Sequence, residues 1–388
     1  MSAPLCLDRL VRERRIIVCV GSGGVGKTTS AAALGLRAAR LGRRVLVLTI
    51  DPARRLANAL GLPSFGNEIR QVPLPDLPEG GGLWACMLDT RATFDDLIRR
   101  MSPDEAAREA VLANRVYRVI ADNFAGSQEY MATERLYDVH ASGAYDLIVL
   151  DTPPVKNALD FLDSPGRLAR FMDRQIVRWF LAPYDEGRVF GRVLVGTSGV
   201  VFRLLGVVFG REFLEDLTSF FQDFRHLMDG FHERHEAVLA LFADPGTAFV
   251  VVAAPNEPSV DVAGFFREEI IARRLPLAGF IVNQVHECGT EVLDAQALLG
   301  ARAQAAGGDL PAHTVLSLSA RLESAHRRLA SVAQAEGPFL ARLAAMAQGG
   351  PFLRVVPLLD VPIRDLDGLL ELCARLFPPA DGDAPIAP

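Results

Sequence analysis

Nine consecutive residues, Gly21-Ser22-Gly23-Gly24-Val25-Gly26-Lys27-Thr28-Thr29, combine what polyphosphate chemistry requires. Glycines let backbone N–H groups turn inward around phosphate oxygens. Lys27 offers a mobile positive charge to the β and γ phosphates of ATP, and the Thr28 hydroxyl is a ligand for Mg²⁺. The G-x-x-x-x-G-K-T spacing is specific only between a strand and a helix. Here IIVCV precedes it and an Ala- and Leu-rich stretch follows, so an incidental glycine turn is the weaker reading.

Two carboxylates follow apolar runs. Asp51 closes VLVLTI and Asp151 closes LIVL. At the carboxyl edge of an open α/β sheet, where ligands bind, Asp51 is the candidate to orient an attacking water and to touch Mg²⁺ through water. With Lys27 it forms the catalytic pair. Its bland alternative is an N-cap for the helix starting near Pro52. Asp151 is the metal-side acid opposite the phosphate loop, and Thr152-Pro153-Pro154 begins a segment suited to sensing the γ phosphate. A plain turn is the alternative there.

These groups need a frame, and the hydrophobic pattern supplies one. Residues 16–20, 45–50, 147–150, 249–253 and 280–282 are short β-branched runs that read as strands buried on both faces. Weaker strands are expected at 83–88 and 353–356. A helix over 28–44, closed by Gly42, links the first two strands, as in a parallel sheet. The fold class is therefore α/β, with a mostly parallel central sheet flanked by helices and an inserted α-helical subdomain. Residues 1–157 form the first part of the core, with a helical segment at 95–141; 158–245 is the insertion, 246–377 the second part of the core, and 378–388 a Pro- and Asp-rich disordered tail.

Bulk properties narrow the partners. Half of the 388 residues are hydrophobic and the formal charge is -6, which suits a large core and argues against a nucleic-acid surface. The five cysteines form no CxxC pair, so neither a disulfide framework nor a zinc knuckle is expected. The N-terminus, MSAPLCLDRLVRERR, carries charges where a signal peptide needs an apolar run, which points to the cytoplasm. The apolar stretch 193–209 is short for a membrane span and contains Arg203, so it reads as a buried or interfacial helix, and a peripheral membrane association stays open.

Taken together, GSGGVGKTT, TIDPARRLANALG, DTPPVKNALDFLDSP, GFIVNQV and VVPLLDVPIRDLDGLLEL resemble the ArsA-like ATPases, a family that includes arsenical-pump ATPases and tail-anchored-protein targeting ATPases. The resemblance covers almost the whole chain. It implies a dimeric, deviant-Walker P-loop NTPase using ATP and Mg²⁺, with Asp51 as the switch I catalytic aspartate and Asp151 at the head of switch II. It further implies that Asn283 reads adenine and that Pro357 and Leu358 pack beside the base.

Departures matter equally. Family members usually carry a second lysine at the position held here by Ser22, reaching across the dimer to the partner's phosphates. The pairing is then a homodimer fed by another cation, or a heterodimer with a related subunit. The family's interfacial CxxC is absent, Cys288 standing alone, so no zinc is expected; the dispersed thiols do not suggest an arsenite site either. In the targeting branch the insertion forms an apolar groove for a hydrophobic client helix, and aromatics from Phe171 to Phe224 would line one here unless they are core. Two functions follow: an ATP-driven switch handling a hydrophobic client or membrane protein, or a weakly hydrolysing regulatory subunit of a hetero-oligomer.

Overall fold

The computed structural model describes residues 6–50, 55–63, 66–123, 127–153, 212, 216–217, 219–220, 228–288, 293–305, 308, 311–360 and 362–378. Eight strands, β1 (Ile16–Val20), β2 (Arg44–Thr49), β3 (Arg70–Gln71), β4 (Gly82–Met87), β5 (Leu147–Asp151), β6 (Thr247–Ala253), β7 (Leu277–Val285) and β8 (Phe352–Pro357), form one sheet. Its order is β3-β4-β2-β5-β1-β6-β7-β8, parallel except for the short β3 edge strand. The helices are α1 (Leu7–Glu13), α2 (Lys27–Arg40), α3 (Arg55–Ala59), α4 (Thr90–Met101), α5 (Glu105–Ala113), α6 (Arg115–Asn123), α7 (Ser127–Ala141), α8 (Met228–Ala243), α9 (Glu257–Ala272), α10 (Ala295–Ala305), α11 (Ala312–Met346) and α12 (Leu366–Leu376).

Every residue of β1, β5 and β6 is buried, because helices cover both faces. Side chains alternate along β1: Ile16, Val18 and Val20 enter one core with α4, α7, α8 and α9, while Ile17 and Cys19 enter the other with α1, α2 and α12. Alanines at 31, 32, 33, 38 and 39 let α2 lie close on the sheet, and Gly42, at φ 84°, ends it.

The expected strands are all present. β7 is longer than its apolar centre suggested because, past a register irregularity at Asn283-Gln284, it pairs with β8 again at Val285 and Pro357. β3, two exposed residues long, and α1 carry too little pattern to be read from sequence. Of the expected insertion, most lies outside the described residues, as do the aromatics named for a client groove except Phe220, which is fully buried in the core. The 193–209 stretch and positions 379–388 of the expected tail also lie outside them.

Where the chain returns from the insertion, α8 is tied to α7 by charge. Arg234 donates to Glu134 and Asp138, and Tyr130 Oη donates to Glu134 Oε1 at 2.7 Å. Burial pushes the Glu134 carboxyl up while Arg234 opposes that rise. Arg234→Met should destabilise the fold by about 3 kcal/mol in urea unfolding, since it strands a buried carboxylate. A raised carboxyl pKa favours the folded state below the ordinary carboxyl range and loses that benefit as pH rises through the raised value. The deficit should therefore be larger at pH 8 than at pH 5.

Candidate functional site

β1 lies between β5 and β6, the point at which the connections diverge to opposite halves of the sheet, and a crevice opens there at the strands' carboxyl ends. The chain leaves β1 through Gly21 at φ 151°, where a Cβ would sit 2.0 Å from the Val252 carbonyl oxygen. It enters α2 through Gly26 at φ 89°, where a Cβ would meet Asn283 Nδ2 at 2.3 Å. No side chain caps α2 and no acidic residue occupies its first turn, so the positive end of the helix and its N–H groups face the crevice.

Beneath the loop, three adjacent strands meet in register: Cys19 pairs with Asp151, and Thr49 with Asp151. Asp151 is fully buried, and its Oδ2 accepts from Thr28 Oγ1 at 2.7 Å and Thr49 Oγ1 at 2.8 Å. The Thr152 hydroxyl donates to the Cys19 carbonyl at 2.8 Å, fixing the start of the next segment. Burial raises the Cys19 thiol far above its ordinary pKa, and the nearby Asp151 charge adds to the rise, so this cysteine is inert packing.

The loop is braced from the β7 side. Asn283 Nδ2 donates to the Val25 carbonyl at 3.0 Å and Gln284 Nε2 to that of Gly24 at 3.1 Å, with Gln284 itself at φ 63°. From the β6 side, Ala254 N donates to Ser259 Oγ at 2.9 Å, and Ser22 Oγ donates to the same oxygen at 3.1 Å. Lys27 Nζ donates to the Ser22 carbonyl at 2.7 Å, spanning the loop. Thr29 Oγ1 donates to the Gly26 carbonyl at 2.9 Å.

Above this floor is a cleft of about 620 Å³, the size of a small-ligand pocket. Gly24, Gly26, Lys27, Thr28 and Thr29 form its base; Arg55 and Asn58 of α3 form one wall, and Ile363 and Arg364 before α12 another. A profile of the anion-transporting ATPase family, ArsA, matches residues 14–292, the segment that carries this loop, its carboxylate and both braces.

The chain belongs to that family.

Related proteins include the ATPase GET3 of Podospora anserina, 29% identical over 163 residues, covering 42% of this chain and 46% of the relative. A putative arsenical pump-driving ATPase of Aquifex aeolicus is 23% identical over 248 residues, 63% and 56% of the two chains. An uncharacterized protein of Streptomyces coelicolor is 28% identical over 262 residues, 67% and 62%. The chain spans about half the length of these curated relatives.

Of the site residues named from the sequence, the structure brings the loop and Asp151 together, through Thr28. Asp51 lies outside the described residues; the preceding Ile50 carbonyl accepts from Gln128 Nε2 at 2.7 Å, so α7 holds the end of that strand. Asn283 is buried against the loop, with its Nδ2 on Val25. Pro357 and Leu358 sit at the end of β8, where the Leu358 N–H donates to the Val285 carbonyl at 2.8 Å. Neither lines the cleft as described.

Sequence reasoning missed Thr49, Ser259, Gln284, Arg55 and Arg364. Thr49 carried a signal, a hydroxyl ending an apolar run; the others act through the fold.

The donor set fits Mg²⁺, a hard cation that takes oxygen ligands and keeps several waters: Thr28 Oγ1 and the Asp151 carboxylate are such oxygens, side by side. Among the described residues no group of three His, Cys, Asp or Glu side chains is placed to hold a metal. Cys288 Sγ lies 3.6 Å from His326 Nδ1, and His286 Nδ1 pairs separately with Glu336 Oε1 at 2.6 Å. Among the described residues no helix is long and apolar enough to cross a membrane.

Proposed function

We propose that this chain binds Mg²⁺ and ATP in the cleft above the Gly21–Thr29 loop and hydrolyses ATP as a conformational switch. The observation that carries the reading is the buried Asp151 carboxylate held by the Thr28 and Thr49 hydroxyls under an uncapped helix N-terminus. The N–H groups of Val25 to Thr29 receive the phosphate oxygens, and Lys27 exchanges the Ser22 carbonyl for the β and γ phosphates. Thr28 and Asp151 would hold the metal, which supplies charge neutralisation to the phosphates. Asp51 orients the water that attacks the γ phosphate. Asn283, fixed through its Nδ2, has its carbonyl end left for the amino edge of adenine.

The switch acts as a dimer whose output is the handling of a hydrophobic client or a membrane-linked partner at the cytoplasmic side; its nucleotide-responsive segments start at Thr152 and at the strand end held by Gln128. A second reading, a weakly hydrolysing subunit of a hetero-oligomer, is favoured by one feature: Ser22 is uncharged and its hydroxyl is committed to Ser259.

ATP hydrolysis by the purified chain decides between them. Under the first reading turnover requires Mg²⁺ and drops about 10²–10⁴-fold in Asp51→Asn, the range for loss of a positioned acid–base group. A wild-type rate that Asp51→Asn leaves unchanged overturns it; negligible turnover with intact ATP binding selects the second.

A further inference from the structure

The charge at the cleft is not symmetrical. A Mg²⁺-bound triphosphate remains anionic after Lys27 is counted, and the loop's second position, Ser22, contributes no charge and is turned to Ser259. Yet two guanidinium groups line the same cleft from different segments: Arg55, the first residue of α3, and Arg364, immediately before the α12 N-cap. Both are exposed. Among the described residues no carboxylate lines the cleft. Asp365, next to Arg364, is occupied by its own helix, accepting from Gly368 N at 2.9 Å.

The backbones under these arginines are firmly seated. Leu56 and Ala57 of α3 and Leu369 and Leu372 of α12 are buried in the same core as the alanines of α2, the helix whose N-terminus makes the cleft floor. The two arginines therefore reach one cleft from a packed frame, since α3 and α12 contact each other and both contact α2.

We propose that Arg55 and Arg364 form a cis-acting clamp on the nucleotide's polyphosphate, supplying from this chain the positive charge that position 22 lacks. The inference rests on the nucleotide reading above. Guanidinium groups suit the task, since they pair with phosphate oxygens through two parallel N–H bonds and stay charged at any working pH. A clamp built this way makes phosphate recognition complete within one protomer. Its selectivity is for charge: triphosphate over diphosphate over the bare nucleoside.

The test is equilibrium binding of Mg²⁺-ATP, Mg²⁺-ADP and adenosine to the full chain and to Arg55→Ala, Arg364→Ala, the double variant and Arg364→Lys. Each single variant should weaken ATP about tenfold and the double about a hundredfold, the worth of charge-assisted hydrogen bonds lost one and two at a time. Adenosine affinity should stay within about twofold, the salt dependence of ATP binding should flatten, and lysine should restore part of the loss. ATP binding unchanged in the double variant overturns the clamp, as does a parallel loss of adenosine, which would assign the arginines to the base or to the fold. Wild-type chain that binds no ATP at all overturns the nucleotide reading itself. ATP bound by wild type and double variant alike defeats the clamp alone.

Discussion

Asp151→Asn is expected to lower Mg²⁺-dependent ATP turnover by about 10²–10³-fold while leaving the fold intact. The two effects separate because of how the carboxylate is used. Thr28 and Thr49 both donate to the one oxygen, Oδ2, at 2.7 and 2.8 Å. An amide oxygen has two lone pairs and can keep both bonds, so the substitution removes the charge and little else. What remains is a Thr28 hydroxyl without a neighbouring anion to help retain a divalent cation. Residual activity should then need a higher Mg²⁺ concentration for half-saturation, whereas the urea midpoint moves little. Turnover with an unaltered Mg²⁺ dependence would remove Asp151 from the metal side. Asp151→Ala makes a poor substitute, because it leaves two buried hydroxyls without their acceptor, and a loss of stability would mask the loss of charge.

The contrast between Asp151 and Asn283 marks how far the sequence could be read. Asp151 was legible because an acidic residue ending a buried apolar strand is costly unless something uses it, and the adjoining strands of such a sheet converge on one edge. The same logic made the loop from Gly21 to Thr29 readable, since its glycines answer to specific backbone needs. The parallel sheet followed from uninterrupted β-branched runs, all of which became strands. Asn283 carried no such signature. Its bond to Val25 joins residues 258 positions apart, and so does the Gln284 bond to Gly24 at a separation of 260, neither of which local patterning encodes. Ser22 illustrates the opposite limit: its missing charge is visible in the sequence, but its commitment to Ser259 depends on α9 packing beside β6. Arg55 and Arg364 are two among many surface arginines until the core shared by α2, α3 and α12 brings them to one cleft.

Gly21→Ala is expected to be the most damaging single-atom change in the loop, destabilising the protein by about 3 kcal/mol or more and abolishing nucleotide retention in whatever remains folded. The added Cβ would lie 2.0 Å from the Val252 carbonyl oxygen and 3.1 Å from its carbon, both backbone atoms of the buried strand β6. That strand is held on one side by β1 and on the other by β7, so it cannot step aside without breaking ladders in the middle of the sheet. Gly24→Ala separates this clash from mere backbone preference. Gly24 also has a positive φ, 79°, but nothing lies within 4 Å of its would-be Cβ. Only the conformational penalty applies there, about 1–2 kcal/mol. Urea unfolding of the two variants side by side should therefore give Gly21→Ala the clearly larger loss. Equal losses would mean that φ alone explains both glycines, and that the close approach of the loop to β6 contributes nothing to holding the phosphate site in place.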